Sequence, residues 1–238
     1  MKKISLHFAF LTMLIPSISH SEFAINNRFV ELMVGGTSTV FKELNYLNPL
    51  GTGFTTNPTR GNYIVLNDSD KANNSNSIKA TIGGQITEDV SMSLSIINFQ
   101  EISANGYADE AGFNTEQKIT VSGQSIILGF GSQFKRKNTF LEPKIEAGIS
   151  NIKSTGVQVN GFGGVFPENT ETNGVLGFSV TAGYELTPKT AVVGSFGYHY
   201  FGNIKTKTTT AGLGMNEGER LEGLFNTLSV YAGLRYRF

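Results

Sequence analysis

The final fifteen residues, Leu224 to Phe238, place apolar side chains on every second position and end on an aromatic one. Leu228, Val230, Ala232, Leu234, Tyr236 and Phe238 share one face of a two-residue repeat. Thr227, Ser229, Tyr231, Gly233, Arg235 and Arg237 share the other. Successive side chains of a β-strand point to opposite sides, so one face of this strand suits hydrocarbon and the other, with its two arginines, suits a wet interior. The pattern is that of a strand in a wall between lipid and water.

Alternation of period two recurs in seven further segments: Arg28 to Thr39, Ser77 to Thr87, Val90 to Gln100, Gln124 to Phe134, Thr139 to Ile152, Asn173 to Leu186 and Thr190 to Gly202. Segments of about ten residues with this period are the signal of a transmembrane β-strand. Their connections alternate in length. Tight turns around Glu88-Asp89, Lys135 to Asn138 and Thr187-Pro188-Lys189 alternate with long polar stretches at Val40 to Asn76, Glu101 to Gly123, Lys153 to Thr172 and Asn203 to Gly223. That asymmetry predicts short turns at one end, long loops at the other, and both termini at the turn end. In hydrocarbon an unpaired strand edge leaves N–H and C=O groups without partners, so the first and last segments must pair. The expected fold is all-β, a transmembrane eight-stranded antiparallel up-and-down β-barrel. A hairpin near Thr59 to Asn67 would make it ten-stranded and wider.

At the other end, Met1-Lys2-Lys3 precedes an apolar run from Phe8 to Ile15 and then Pro16. This is the layout of a secretory signal peptide, too short to span a membrane, with cleavage expected between Ser21 and Glu22. Residues 1–21 are thus read as leader and 22–238 as the barrel domain. The 19 basic and 19 acidic residues become 17 and 19 without Lys2 and Lys3, a formal charge of −2, so no basic surface for nucleic acid is expected. Cysteine is absent, which excludes disulfides, thiolate chemistry and lipoprotein acylation.

The ending resembles that of outer-membrane β-barrel proteins of Gram-negative bacteria. The run Gly177-Phe178-Ser179-Val180-Thr181-Ala182-Gly183-Tyr184-Glu185-Leu186-Thr187-Pro188 is similar to a strand and turn common in the small porin-like, opacity-like and OmpA-like barrel superfamily. The resemblance implies that Leu234, Tyr236 and Phe238 form a C-terminal signal read by barrel-assembly machinery. It also implies export through the periplasm to the outer membrane, with lipid and lipopolysaccharide as neighbours.

With the apolar faces turned outward, Glu31, Lys79, Glu142, Lys144, Glu146, Glu185, Arg235 and Arg237 point inward. Four acids and four bases in a narrow lumen are expected to pair, because an unpaired charge away from bulk water is costly. Two readings stand: the charges pack and hydrate a closed interior, or they exchange partners as a gate for small solutes. His199 is expected inward near the outer end of its strand. Lipid A-modifying barrels use a histidine with a serine at the rim, but Tyr198-His199-Tyr200-Phe201 lacks that serine. No catalytic, metal or cofactor site is expected, since Asp68-Ser69-Asp70 is not followed by the remainder of a calcium loop. The expectation is a non-enzymatic protein whose loops meet host surface molecules, act as surface antigens or support the envelope, with a narrow channel for small or hydrophobic solutes as the alternative.

Overall fold

The computed structural model describes residues 26–47, 63–65, 74–87, 89–110, 113–159, 164–210 and 218–238. The expected leader and Asp68 to Asp70 lie outside these residues. Ten strands follow one another: β1 (Asn26–Leu47), β2 (Tyr63–Val65), β3 (Asn74–Gln85), β4 (Val90–Glu110), β5 (Phe113–Ser132), β6 (Phe134–Arg136), β7 (Thr139–Gln158), β8 (Val165–Glu185), β9 (Thr190–Lys205) and β10 (Arg220–Arg237).

Eight of them form a closed antiparallel ring in the order β1, β3, β4, β5, β7, β8, β9, β10 and back to β1. The closing pair runs from Phe29 opposite Arg237 to Leu47 opposite Arg220, so this edge of the sheet is sealed along nearly its whole length. The other two strands add nothing to the circumference. β6 continues the line of β5 past Gln133 and pairs with the same neighbour, β7. β2 pairs with Asn45–Leu47, on the edge of β1 that β3 occupies lower down. The short strand at Tyr63–Val65 therefore heightens the wall, and the ring has eight strands.

The turn end follows from local chemistry. At Thr187-Pro188-Lys189 the Thr187 hydroxyl accepts from Lys189 N at 3.2 Å and Thr190 N at 3.0 Å, and Leu186 N donates to Thr190 O at 2.9 Å. Side-chain acceptors of this kind replace ladder bonds where the chain reverses. Lys137, at φ 53°, supplies the left-handed residue that the β6–β7 reversal needs.

At the other end the stretches expected to be loops are largely strand. β4 and β5 run on to Glu110 and from Phe113, and β7 and β8 run on to Gln158 and from Val165. The reason is an inversion of polarity along each strand. On β7, Leu141, Ile145 and Ile149 face outward, with Ile145 77% exposed, while Glu142, Lys144, Glu146 and Ser150 are buried inside. Two residues later Ile152 is buried inside and Asn151 and Lys153 are exposed outside. β4 does the same across a bulge between Phe99 and Ile102, which moves the inward set from odd to even numbers, to Ile102 and Ala104.

Below the inversion the wall is solvated by hydrocarbon on its outside, and above it by water. The apolar belt from Leu141 to Ile149 is about 23 Å tall for nine residues at 3.3 Å each and a 40° tilt, matching a bilayer interior. β7 continues for nine more residues, to Gln158. The barrel therefore stands about as far above the belt as the belt is tall.

Candidate functional site

The eight inward charges gather at two levels of the lumen, and a third level, which is apolar, lies above them. At the turn end, Arg235 is fully buried. Its Nε donates to Glu31 Oε1 at 2.5 Å and its Nη2 to Glu142 Oε2 at 2.5 Å. Glu31 is the direct register partner of Arg235 on β1, whereas Glu142 reaches it from β7, with β8 and β9 between. Lys144 Nζ lies 3.4 Å from Glu142 Oε1. Nearer the rim, Arg237 donates to Glu185, whose other oxygen is 2.8 Å from Lys135 Nζ.

Two aromatic rings that the sequence reading passed over fix this level. Arg235 Cζ lies 3.9 Å from the centroid of Phe29 and 4.5 Å from that of Phe140, so the guanidinium is held between two ring faces. Both rings point inward on faces otherwise read as polar, which was the signal available in the sequence. Each is opposite a glycine in register, Gly83 for Phe29 and Gly183 for Phe140. A Cβ on Gly83 would sit 2.6 Å from Phe29 Cζ, and one on Gly183 would fall on the Phe140 ring. The glycines leave the space in which the rings lie flat. Gly183 belongs to the strand-and-turn run that carries the family resemblance, and here it has a packing reason.

At mid-height Glu146 on β7 joins Lys79 on β3, with Nζ to Oε1 at 3.5 Å, and His199 on β9, with Nε2 to Oε2 at 2.7 Å. Hydroxyls line the remaining wall in pairs, including Thr37 with Ser77 at 2.8 Å, Thr81 with Ser95 at 2.9 Å and Ser125 with Ser150 at 2.9 Å. His199 is 2% exposed and the wall continues above it, so it is not a rim residue as expected from its place near the end of an alternating segment. Among the described residues no three His, Cys, Asp or Glu side chains converge on a metal position.

Above, the lumen is largely apolar. Phe99 on β4 and Phe201 on β9, on opposite sides of the ring, meet edge-on with centroids 5.9 Å apart, and Phe201 meets Phe225 of β10 at 5.1 Å. Ile102, Ile119, Ile152, Ile204 and Leu221 are fully buried around them, and Tyr46 packs on Phe166 at 6.0 Å. Each such side chain taken from water is worth about 1.5–3 kcal/mol. The extramembrane part of the wall thus has a hydrophobic core of its own, which inward charges alone gave no reason to expect.

The closed ring is similar in fold to solved structures. The chain is similar to the outer membrane protease OmpT from Escherichia coli at a TM-score of 0.52 and 14% identity, over 93% of this chain and 100% of that one. It is similar to the outer membrane protein OprG from Pseudomonas aeruginosa at a TM-score of 0.51 and 10% identity, over 90% and 97%. The fold is that of an outer-membrane β-barrel. No protein-family model matches the chain, and no curated protein matches it in sequence. The chain is also similar to Neisserial surface protein A, at a TM-score of 0.43 and 13% identity over 90% of this chain and 99% of that one. OmpT is named as a protease and OprG is not named as an enzyme, so the fold leaves the chemistry to the site.

Leu234, Tyr236 and Phe238, the expected assembly signal, all face outward on the last strand, each between 47% and 57% exposed. At the turn end the lumen opens into a vestibule of about 310 Å³ lined by Phe29, Ser91, Lys135, Glu142, Arg235 and Arg237 among others. The vestibule stops at the Arg235 level.

Proposed function

We propose that this chain is an integral outer-membrane protein, exported with a cleaved leader and inserted through the barrel-assembly machinery. In this reading it works as a closed scaffold, not as an enzyme. The membrane part anchors, and the wall and loops above it carry adhesive, antigenic or envelope-supporting contacts at the cell surface. The observation that carries the reading is the crossing of the lumen by side chains from non-adjacent strands, Arg235 to Glu142 below and Phe99 to Phe201 above. A pore would need both crossings to part. The wall above the belt, polar outside and packed inside, supports a rigid platform for surface recognition, since binding residues concentrate on loops held by a rigid scaffold.

The non-enzymatic part of the reading rests on His199, whose ring is held by Glu146 beneath the phenylalanine layer and away from any substrate. The test is planar-bilayer recording of mature protein, residues 22–238, after heat-modifiable gel migration has established folding. Silence from folded barrels is the expected result. Reproducible discrete openings would overturn the closed-scaffold reading in favour of a narrow channel for small solutes. Loss of binding to host cells or matrix on exchanging the loop-end tips would then identify the surface role.

A further inference from the structure

The turn-end vestibule, at about 310 Å³, has the volume of a small-molecule site, and closing the barrel uses the Arg235 network but not the space below it. Its wall carries three cations, Lys135, Arg235 and Arg237, against one acid, Glu142. Glu31 and Glu185, which pair with those cations, are not part of the wall, so the cavity meets the cations on the side away from these carboxylates. Around Arg235 the partners can be counted off. Phe29 and Phe140 cover the two faces of the guanidinium, and Glu31 and Glu142 take Nε and Nη2. Nη1, buried with the rest of the side chain, has no hydrogen-bond partner among the described residues. A buried donor without a partner costs about 1–3 kcal/mol, more on a charged group, so this remaining edge favours an acceptor.

Beside the cations, three carboxamides form a row. Asn27 donates to Gln85, and Gln85 Nε2 donates to Gln133 Oε1 at 3.0 Å. Backbone bonds hold the rim together: Gln133 N to Asp89 O at 3.1 Å, Glu185 N to Asn138 O at 2.7 Å and Arg237 N to Lys189 O at 2.7 Å. The wall is thus preformed, which lowers the cost of ordering it around a ligand. We propose that the vestibule binds the C-terminal carboxylate of a short peptide presented at the turn end. The carboxylate accepts from Arg235 and Arg237 at the cationic end of the cavity, and hydrogen bonds between charged groups are about twice as strong as neutral ones. The carboxamide row offers donors and acceptors to the N–H and C=O of the preceding peptide unit. An inorganic anion would use the cations and leave the amides idle. That the peptide comes from the periplasm rests on the proposed orientation, with the turn end inward; the site itself does not.

The test is isothermal titration of mature protein folded in detergent micelles, each variant first confirmed as folded by heat-modifiable migration. The probes are trialanine, trialanine amide and inorganic phosphate. Expected is saturable one-to-one binding of trialanine, at least about tenfold tighter than either other probe. Gln133→Glu, which sets an acid in the wall, and Lys135→Gln, which removes a cation from it, are each expected to weaken trialanine at least about tenfold. Both residues are only partly buried or exposed, so these variants leave the packed network in place. Arg136→Gln, on the opposite face of the same strand as Lys135, changes the charge by the same amount as Gln133→Glu and is expected to leave binding unchanged. Equal binding of the amide would overturn the assignment, as would equal weakening by Arg136→Gln, which would show a diffuse charge effect of the rim. Phosphate binding as tightly as trialanine would overturn the peptide part by showing a simple anion site. Binding in micelles does not depend on orientation or conductance, so failure here counts against the vestibule site and leaves the closed-scaffold reading to the bilayer recordings.

Discussion

Arg235 on β10 donates to Glu142 on β7 at 2.5 Å, with β8 and β9 between their strands in the ring. Because Glu31 shares the same guanidinium, removing Arg235 leaves two buried carboxylates facing each other with only Lys144 near Glu142. Breaking a buried charge network by deleting one partner typically costs about 3–5 kcal/mol. Arg235→Ala is expected to lose that much in urea unfolding of protein refolded into vesicles. Arg235→Met combined with Glu31→Leu, Glu142→Leu and Lys144→Met, which removes the stranded charges as well, is expected to recover most of it. A loss below about 1 kcal/mol in the single variant would show that the network contributes little to holding the barrel closed.

Phe140 depends on the absence of a side chain across the strand. A Cβ at Gly183 would fall onto its ring, and that ring is one half of the sandwich around Arg235. Gly183→Ala is therefore expected to cost about 1–3 kcal/mol through overpacking. In the Phe140→Ala background the same substitution is expected to be close to neutral. A double-mutant cycle with no coupling would mean that the ring has room to turn away and that the glycine serves another purpose.

The belt makes a depth-dependent prediction on a single strand. Ile145 is at the middle of the outward apolar run of β7, and Asn151 is the first outward residue above it. Ile145→Arg is expected to cost about 2–4 kcal/mol in bilayers, and Asn151→Arg about 0–1 kcal/mol, by the profile for arginine across lipid-facing barrel positions. Reversible unfolding in vesicles measures both. Equal costs would place the hydrocarbon boundary elsewhere.

The lower half of this structure was legible in the sequence and the upper half was not, for a physical reason. Where lipid lies outside, alternation has one sense: Leu228, Val230 and Leu234 outward, Ser229 and Arg235 inward. The same alternation put Glu31 and Arg235 inward on the two strands that close the ring, where they are register partners. Above the belt the solvent on the outside changes to water and the sense reverses, so Ile102 and Ile119 turn inward beyond the segments where a single pattern ended, and Ile152 turns inward at the last position of its segment. Bulges between Phe99 and Ile102 on β4 and between Phe166 and Asn169 on β8 shift the phase near the crossover, which makes extended strands read as polar loops. The charge clusters were visible because charge on a strand of a membrane wall has only one place to go. Phe29 and Phe140 were not, because an inward aromatic residue announces itself only once the glycine opposite it is known.

Three crossings in series give the last prediction. The phenylalanine level and the Arg235 level each cross the lumen from strands that are not neighbours, and they are separated by the Lys79–Glu146–His199 level. Opening one leaves the others shut. Phe201→Ala removes the ring that touches both Phe99 and Phe225 and is expected to cost about 3–5 kcal/mol of stability, yet to remain silent in planar bilayers. Arg235→Ala is likewise expected to be silent. Combining Phe201→Ala and Arg235→Ala with Glu146→Ala, confirmed as folded by heat-modifiable migration, is expected to give discrete openings, since Glu146 joins Lys79 and His199 across the lumen between the other two levels. Openings from Phe201→Ala alone would mean that the charged levels leak and the apolar level is the seal, and openings from Arg235→Ala alone would assign the seal to the charges.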